Sequence, residues 1–240
     1  MNEIFSVENL SMSIGKKTIF EDITFKVYSG EIIGLLGHNG VGKSTMQRII
    51  ANRENAQAGT IVNNGRVQTI ATDFNNIVYV PDVIILIPNL TVIENFELIA
   101  KSRNCNINFF ESYIKTIRLT GKEQVKSLSK GNQELVQIII LLSINAAIYL
   151  LDEPFSAVDV FRRELIQKII IDLSLRNESS SVIITSHLIN EIEPMLSRVL
   201  YLDEGHIVID KDLDQIYEQS NNLLQYLKDH FGEKVGYDNV

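Results

Sequence analysis

Apolar and polar residues alternate from Ile4 to Tyr28 around a turn at Ser13 to Lys17, which predicts two or three antiparallel strands. Residues 59–71, with Asn63-Asn64-Gly65 as a turn, predict a hairpin in the same small sheet. Within this β-rich beginning, Glu31 to Leu36 reads as a short buried strand and Lys43 to Ala51 as a helix. Ile77 to Val80 predicts one more strand, closed by Pro81.

The period then changes. From Leu90 to about Ser127 the spacing is helical, with Thr91 placed to cap a run containing Val92, Ile93, Phe96 and Ile99, and a second run from Ile107 to Leu119. Beyond it, helices are expected at Gly131 to Ser143, Arg162 to Leu175 and Ile189 to about Leu196. Strands are expected at Ala147 to Leu151 and Val182 to Ser186, followed by a hairpin from Val199 to Asp210 with its turn at Asp203-Glu204-Gly205. Leu213 to about Phe231 reads as helical, then frays. This alternation implies an α/β fold with a mostly parallel sheet covered on both faces. An N-terminal antiparallel β subdomain and an inserted α-helical subdomain, at about 83–130, complete it. The expected division is a main domain over 1–210 and a C-terminal helical tail over 211–240.

The strand at Glu31 to Leu36 and the helix from Lys43 flank the run Gly37-His38-Asn39-Gly40-Val41-Gly42-Lys43-Ser44-Thr45, which fits G-x-x-x-x-G-K-[ST] in its expected strand–loop–helix setting. Glycines allow the tight turn that aims backbone N–H groups at phosphates, and the helix start adds its partial positive charge. Lys43 is placed to bridge the β- and γ-phosphates of ATP and Ser44 to put its hydroxyl on Mg²⁺, so the core is that of a P-loop NTPase.

Composition narrows the classes. A net charge of -8 argues against a broad nucleic-acid surface, and none is expected as a partner. A single cysteine, Cys105, excludes an internal disulfide and suits a reducing compartment. Asn2 and Glu3 are not the start of a signal peptide. The longest apolar run, Ile138 to Leu151, is broken by Ser143 and Asn145 and falls short of the ~20 residues a spanning helix needs. A cytoplasmic protein is expected.

A second set of residues completes the chemistry. Ile148 to Leu151 is an apolar strand that ends in Asp152 and Glu153. One acid can orient Mg²⁺ and the next, pointing the other way along the strand, can take the proton of an attacking water. With these, the chain resembles the ATP-binding cassette (ABC) ATPases over about residues 1–210. Leu128-Ser129-Lys130-Gly131-Asn132 is similar to the family's signature, usually Leu-Ser-Gly-Gly-Gln. The resemblance implies that Ser129 and the backbone near Gly131 contact ATP held by an opposite subunit. Ser156-Ala157-Val158-Asp159 is similar to the D-loop, implying that Asp159 helps pair the subunits. Thr185-Ser186-His187 is similar to the switch segment, implying that His187 holds the water and Glu153 in line.

Three departures stand out. Ile14 occupies the place of an aromatic residue that stacks on adenine in many relatives, Asp82 that of a glutamine reaching Mg²⁺, and Lys130 and Asn132 alter the signature. The resemblance implies a homodimer or heterodimer of cassettes, peripheral on the cytoplasmic face of the membrane, energising a transmembrane permease subunit. The Leu-Ser-Lys-Gly form is similar to exporters of drugs and peptides, and a lipid-like cargo belongs to the same expectation. Two rivals are a non-transport ABC protein acting on nucleic acid or ribosomes and a regulator that hydrolyses weakly. The former is disfavoured by the acidic balance and the single motif set, while Asp82 and Ile14 are the support for the latter.

Overall fold

The structure, a computed structural model, describes residues 2–67, 76–156, 158–176 and 179–232. The chain opens with a long hairpin, β1 (Glu3–Ile14) and β2 (Lys17–Tyr28), then β3 (Ile32–Leu36) and α1 (Lys43–Ile50). Next come β4 (Ala58–Asn63) and β5 (Arg66–Val67), which join the hairpin in a sheet of order β2-β1-β4-β5. The expected Asn63-Asn64-Gly65 turn is present, and the part of that hairpin over 68–75 lies outside the described residues.

The remaining strands are β6 (Ile77–Val80), β7 (Ile148–Asp152), β8 (Ser181–Thr185), β9 (Arg198–Asp203) and β10 (His206–Asp212). With β3 they form a second sheet of order β10-β9-β3-β8-β7-β6, in which only β10 runs antiparallel to its neighbour. Apolar residues fill β3, β6, β7, β8 and β9 because both faces are covered, whereas the edge strand β10 is mostly exposed. Ile33 and Leu35 of β3, Ile148 and Leu150 of β7 and Ile183 of β8 pack with α1 and the N-terminal sheet. Their neighbours Ile32, Leu36, Tyr149, Leu151, Val182 and Ile184 pack into a second cluster with the helices on the other face. The two-residue period of a strand therefore serves two cores at once.

Between β6 and β7 lie α2 (Val92–Ala100), α3 (Ile107–Thr116) and α4 (Lys130–Leu142). Thr91 starts α2 with a reciprocal cap: its hydroxyl accepts from the Glu94 amide, and the Glu94 carboxylate accepts from the Thr91 amide. Phe96 stacks on Phe110 with centroids 4.0 Å apart, joining α2 to α3.

Two expected helices are divided. Beyond α5 (Val160–Arg176), α6 stops after Ile189–Ile192, and Pro194 converts the rest into a 3₁₀ turn at Glu193–Met195. Proline lacks the N–H that a continuing helix needs. The tail forms α7 (Leu213–Tyr217) and α8 (Leu223–Phe231). Polar side chains at 219–222 compete for the backbone there. Asn222 caps α8 by accepting from the Gln225 amide at 2.8 Å, and buried Glu193 accepts from the Leu223 amide. Leu223, Tyr226 and Leu227 are buried in the second core cluster, so this end of the chain is part of the packed body.

Candidate functional site

β3 delivers the chain directly into Gly37, whose φ is +144°. A Cβ there would lie 2.2 Å from the Leu202 carbonyl oxygen, so no side chain fits. Gly42, at φ +115°, is the N-cap of α1, and its Cβ would press on Ile19 of β2 at 2.6 Å. The loop is thereby wedged between β9 and the N-terminal hairpin. Buried Lys43 folds back over it, donating from Nζ to the carbonyls of Gly37 at 2.7 Å and His38 at 3.1 Å. His38 contacts the Asn39 carbonyl through Nδ1, the Val41 amide donates to the His38 carbonyl, and Thr45 accepts from Arg48. An ammonium held by neutral carbonyls at the start of a helix suits a polyanion such as a triphosphate.

Asp152, the buried last residue of β7, sits beside this loop. Its Oδ1 accepts from Ser44 Oγ at 2.8 Å and from Thr185 Oγ1 at 2.9 Å, and its Oδ2 accepts from the Tyr79 hydroxyl at 3.0 Å. The register that pairs Asp152 with Thr185 across β7 and β8 makes the second contact possible. Burial, and then the Asp152 carboxylate, push the Tyr79 phenol up, so it stays a donor. Gln47 of α1 fastens the helix to both strands by donating to the Leu151 and Ile183 carbonyls. Among the described residues no cluster of three or more His, Cys, Asp or Glu could by itself hold a metal ion. The hydroxyl of Ser44 and the carboxylate of Asp152 nevertheless fit a hard cation that takes its other oxygens from phosphate and water, as Mg²⁺ does.

Glu153 is reached differently from the expected strand alternation. It lies beyond the end of β7 in left-handed backbone, φ +50°, and Thr185 anchors the turn by accepting the Glu153 amide at both Oγ1 and its carbonyl. That turn aims Glu153 Oε2 at His187, 2.9 Å from Nδ1, and the His187 amide donates to the same oxygen at 3.3 Å. Acid and histidine thus act as a pair whose orientation is fixed by backbone as well as side chain.

Asp82 follows β6 and lines a small cleft with Asp152, Glu153 and Glu134. Ile14 stands exposed at the turn end of β1, on the hairpin whose Ile19 and Phe20 abut Gly42. Ser129, Gly131 and Asp159 form a separate group. Ser129 is the exposed N-cap of α4, accepting from the Asn132 amide at 3.4 Å. Arg162 of α5 bridges Asn132, in the first turn of α4, to Asp159: its guanidinium donates to Asn132 Oδ1 at 3.1 and 3.3 Å and pairs with the Asp159 carboxylate. A Cβ on Gly131 would meet the Arg162 side chain at 3.2 Å.

Sequence reasoning passed over Tyr79, Gln47, Thr185 and Arg162 as participants. For Thr185 the signal existed, since a parallel register places it beside Asp152; for Arg162, its position three residues after Asp159 was the signal.

A wedged phosphate loop with a folded-back lysine, a serine–aspartate pair and an acid–histidine pair define a P-loop ATPase. The ABC transporter family matches residues 20–156. An uncharacterized ABC transporter ATP-binding protein of Methanocaldococcus jannaschii is 37% identical over 212 residues, covering 87% of this chain and 77% of that protein. The lantibiotic transport ATP-binding protein SrtF of Streptococcus pyogenes is 26% identical over 230 residues, covering 94% and 99%. Among solved structures, the ATP-binding cassette MJ0796, a dimer in a post-hydrolysis state bound to ADP and Pi, matches with a TM-score of 0.75 and 25% identity, covering 88% and 99%. The chain belongs to the ABC transporter family, as an ATP-binding and ATP-hydrolysing cassette.

Proposed function

We propose that this cassette is the energy-supplying subunit of a membrane exporter, working with a separately encoded transmembrane permease and a second cassette. The observation that carries the catalytic half of this reading is the 2.9 Å contact between Glu153 and His187, set beside the Ser44–Asp152 pair. In this reading Lys43 and the loop amides from Gly37 to Thr45 hold the triphosphate of ATP. Ser44 and Asp152, with Asp82 in the same cleft, hold Mg²⁺, which supplies charge neutralisation at the phosphates. Glu153 accepts the proton of the attacking water, and His187 keeps that carboxylate in place.

Ser129 and Gly131 of one cassette face the nucleotide of the other, and Asp159 lies at the junction. The exposure of Ser129 and Asp159 supports this, since residues meant for a partner's ligand must not be spent on their own core; Gly131 between them is half-buried. Ile14 covers the base with an aliphatic face.

No helix among the described residues is long and apolar enough to cross a membrane. In this reading the cargo path lies in the permease. Val83, Ile85 and Ile87, exposed on the segment after β6, with Leu98 of α2, offer the permease an apolar contact at the cytoplasmic face. Export of a peptide, drug or lipid-like molecule is supported by the relatives named for lantibiotic transport and, in Haemophilus influenzae, for lipopolysaccharide export.

Glu153→Gln tests the reading: hydrolysis should slow by ~10²–10⁴-fold while ATP binding persists, as loss of a general base does. Unchanged turnover rejects the role of Glu153. Pull-down from solubilised membranes should recover a polytopic partner; recovery with ribosomes or DNA instead would overturn transport.

A further inference from the structure

Gln137 sits in the third turn of α4, 3% exposed, among isoleucines and leucines that need no amide for company. Its amide is fully used, and entirely on one segment. Oε1 accepts from the Ile85 amide at 2.7 Å, while Nε2 donates to the Val83 carbonyl at 2.9 Å and the Pro81 carbonyl at 3.2 Å. A second buried amide, Asn95 of α2, grips the next part of the same segment. Its Oδ1 accepts from the Ile87 amide at 2.8 Å, and its Nδ2 donates to the Ile87 and Thr91 carbonyls. Side chains thus replace a neighbouring strand, bonding residues 81, 83, 85 and 87.

The alternation sorts the side chains. Val83, Ile85 and Ile87 are exposed, whereas Ile84 and Leu86 pack on the core. Asp82 lies with Gln137, Asp152 and Glu153 in one cleft. One clamped segment therefore carries both an apolar surface and an acid beside the reacting centre, and the clamp residue stands on α4, the helix that Ser129 caps.

We propose that Gln137 is a positioning residue that couples three places: the apolar surface at Val83–Ile87, the acid Asp82, and the signature end of α4. This rests on the catalytic reading of Asp152 and Glu153 above. An amide is required because only a group with two donors and an acceptor can hold alternate backbone groups in one register. Displacing Asp82 by even an ångström would reach the rate before it reaches affinity, since Lys43 and the loop at 37–45 hold the phosphates independently.

Gln137→Leu keeps the apolar volume of the site and removes every bond. At saturating MgATP its kcat should fall roughly ten- to hundredfold while the KM for ATP stays within about twofold. Asp82→Ala should lower kcat similarly, and the double variant should be no slower than the worse single, because both break one linkage. An unchanged kcat in Gln137→Leu, or fully multiplicative losses in the double variant, overturns the proposal. So does a fall in kcat that merely follows lost ATP affinity and thermal stability. Hydrogen exchange on the unaltered protein gives an independent reading, with Ile85 and Ile87 amides protected despite their exposed side chains. Exchange at free-loop rates there also refutes the clamp. Glu153→Gln runs alongside: if it too hydrolyses normally, the catalytic reading has failed, whereas a slow Glu153→Gln with a normal Gln137→Leu sinks the coupling alone.

Discussion

The two groups of motif residues in this cassette, one around Asp152 and one around Ser129, are built on opposite plans. Around Asp152 every oxygen is occupied, by Ser44, Thr185 and Tyr79, and Lys43 is folded onto its own loop. Around Ser129 the chain is open: its hydroxyl takes one long bond from Asn132, and Arg162 is the bridge to Asp159. The first plan is that of a site organised before its ligand arrives, which lowers the cost of ordering at the moment of reaction. The second leaves Ser129 and Asp159 on the surface, as the proposed contact with a second cassette requires. In the function proposed above, a cassette of this kind carries one half of each of two composite sites.

Substitutions should separate the halves. His187→Ala removes the partner of Glu153, and turnover should fall by about 10²–10³-fold with ATP binding intact, checked by phosphate release against equilibrium dialysis. Ser129→Arg alters only the open half. Binding of ATP by the isolated chain should match the unaltered protein, while turnover falls by roughly 10²-fold, the scale of losing one charge-stabilising donor. Reduced binding by the isolated chain would place Ser129 in the wrong half. Arg162→Ala removes the bridge between Asn132 and Asp159 and should cost about 1 kcal/mol in turnover, roughly fivefold, without changing ATP affinity. Asn222→Ala touches neither half; losing the α8 cap should destabilise folding by about 1 kcal/mol and lower Tm by about 2–4 °C at normal turnover.

Much of this organisation is legible in the sequence because it is local. The period-2 alternation of Ile4 to Tyr28 and the capping residues Thr91 and Ser129 act within a few positions, and the structure places their elements within a residue or two. The loop at Gly37 to Ser44 is legible for the same reason. What escaped depends on neighbours far along the chain. Glu153 reads as a strand residue, yet its left-handed backbone is set by Thr185, 32 positions away. Tyr79 and Gln137 look like ordinary core or helix residues until the sheet order β8-β7-β6 and the fold of 81–87 against α4 bring partners to them. The division of the tail into α7 and α8 was hidden because its cause is partly tertiary, the buried Glu193 carboxylate accepting the Leu223 amide.

Calorimetric titration with MgATP, comparing the unaltered chain with Lys43→Ala, addresses the central claim most directly: that the nucleotide is held by the loop at 37–45 in the organised half. Saturable uptake by the unaltered chain, abolished in a folded Lys43→Ala, is the predicted result. Equal uptake by both proteins, or none by either, would contradict it.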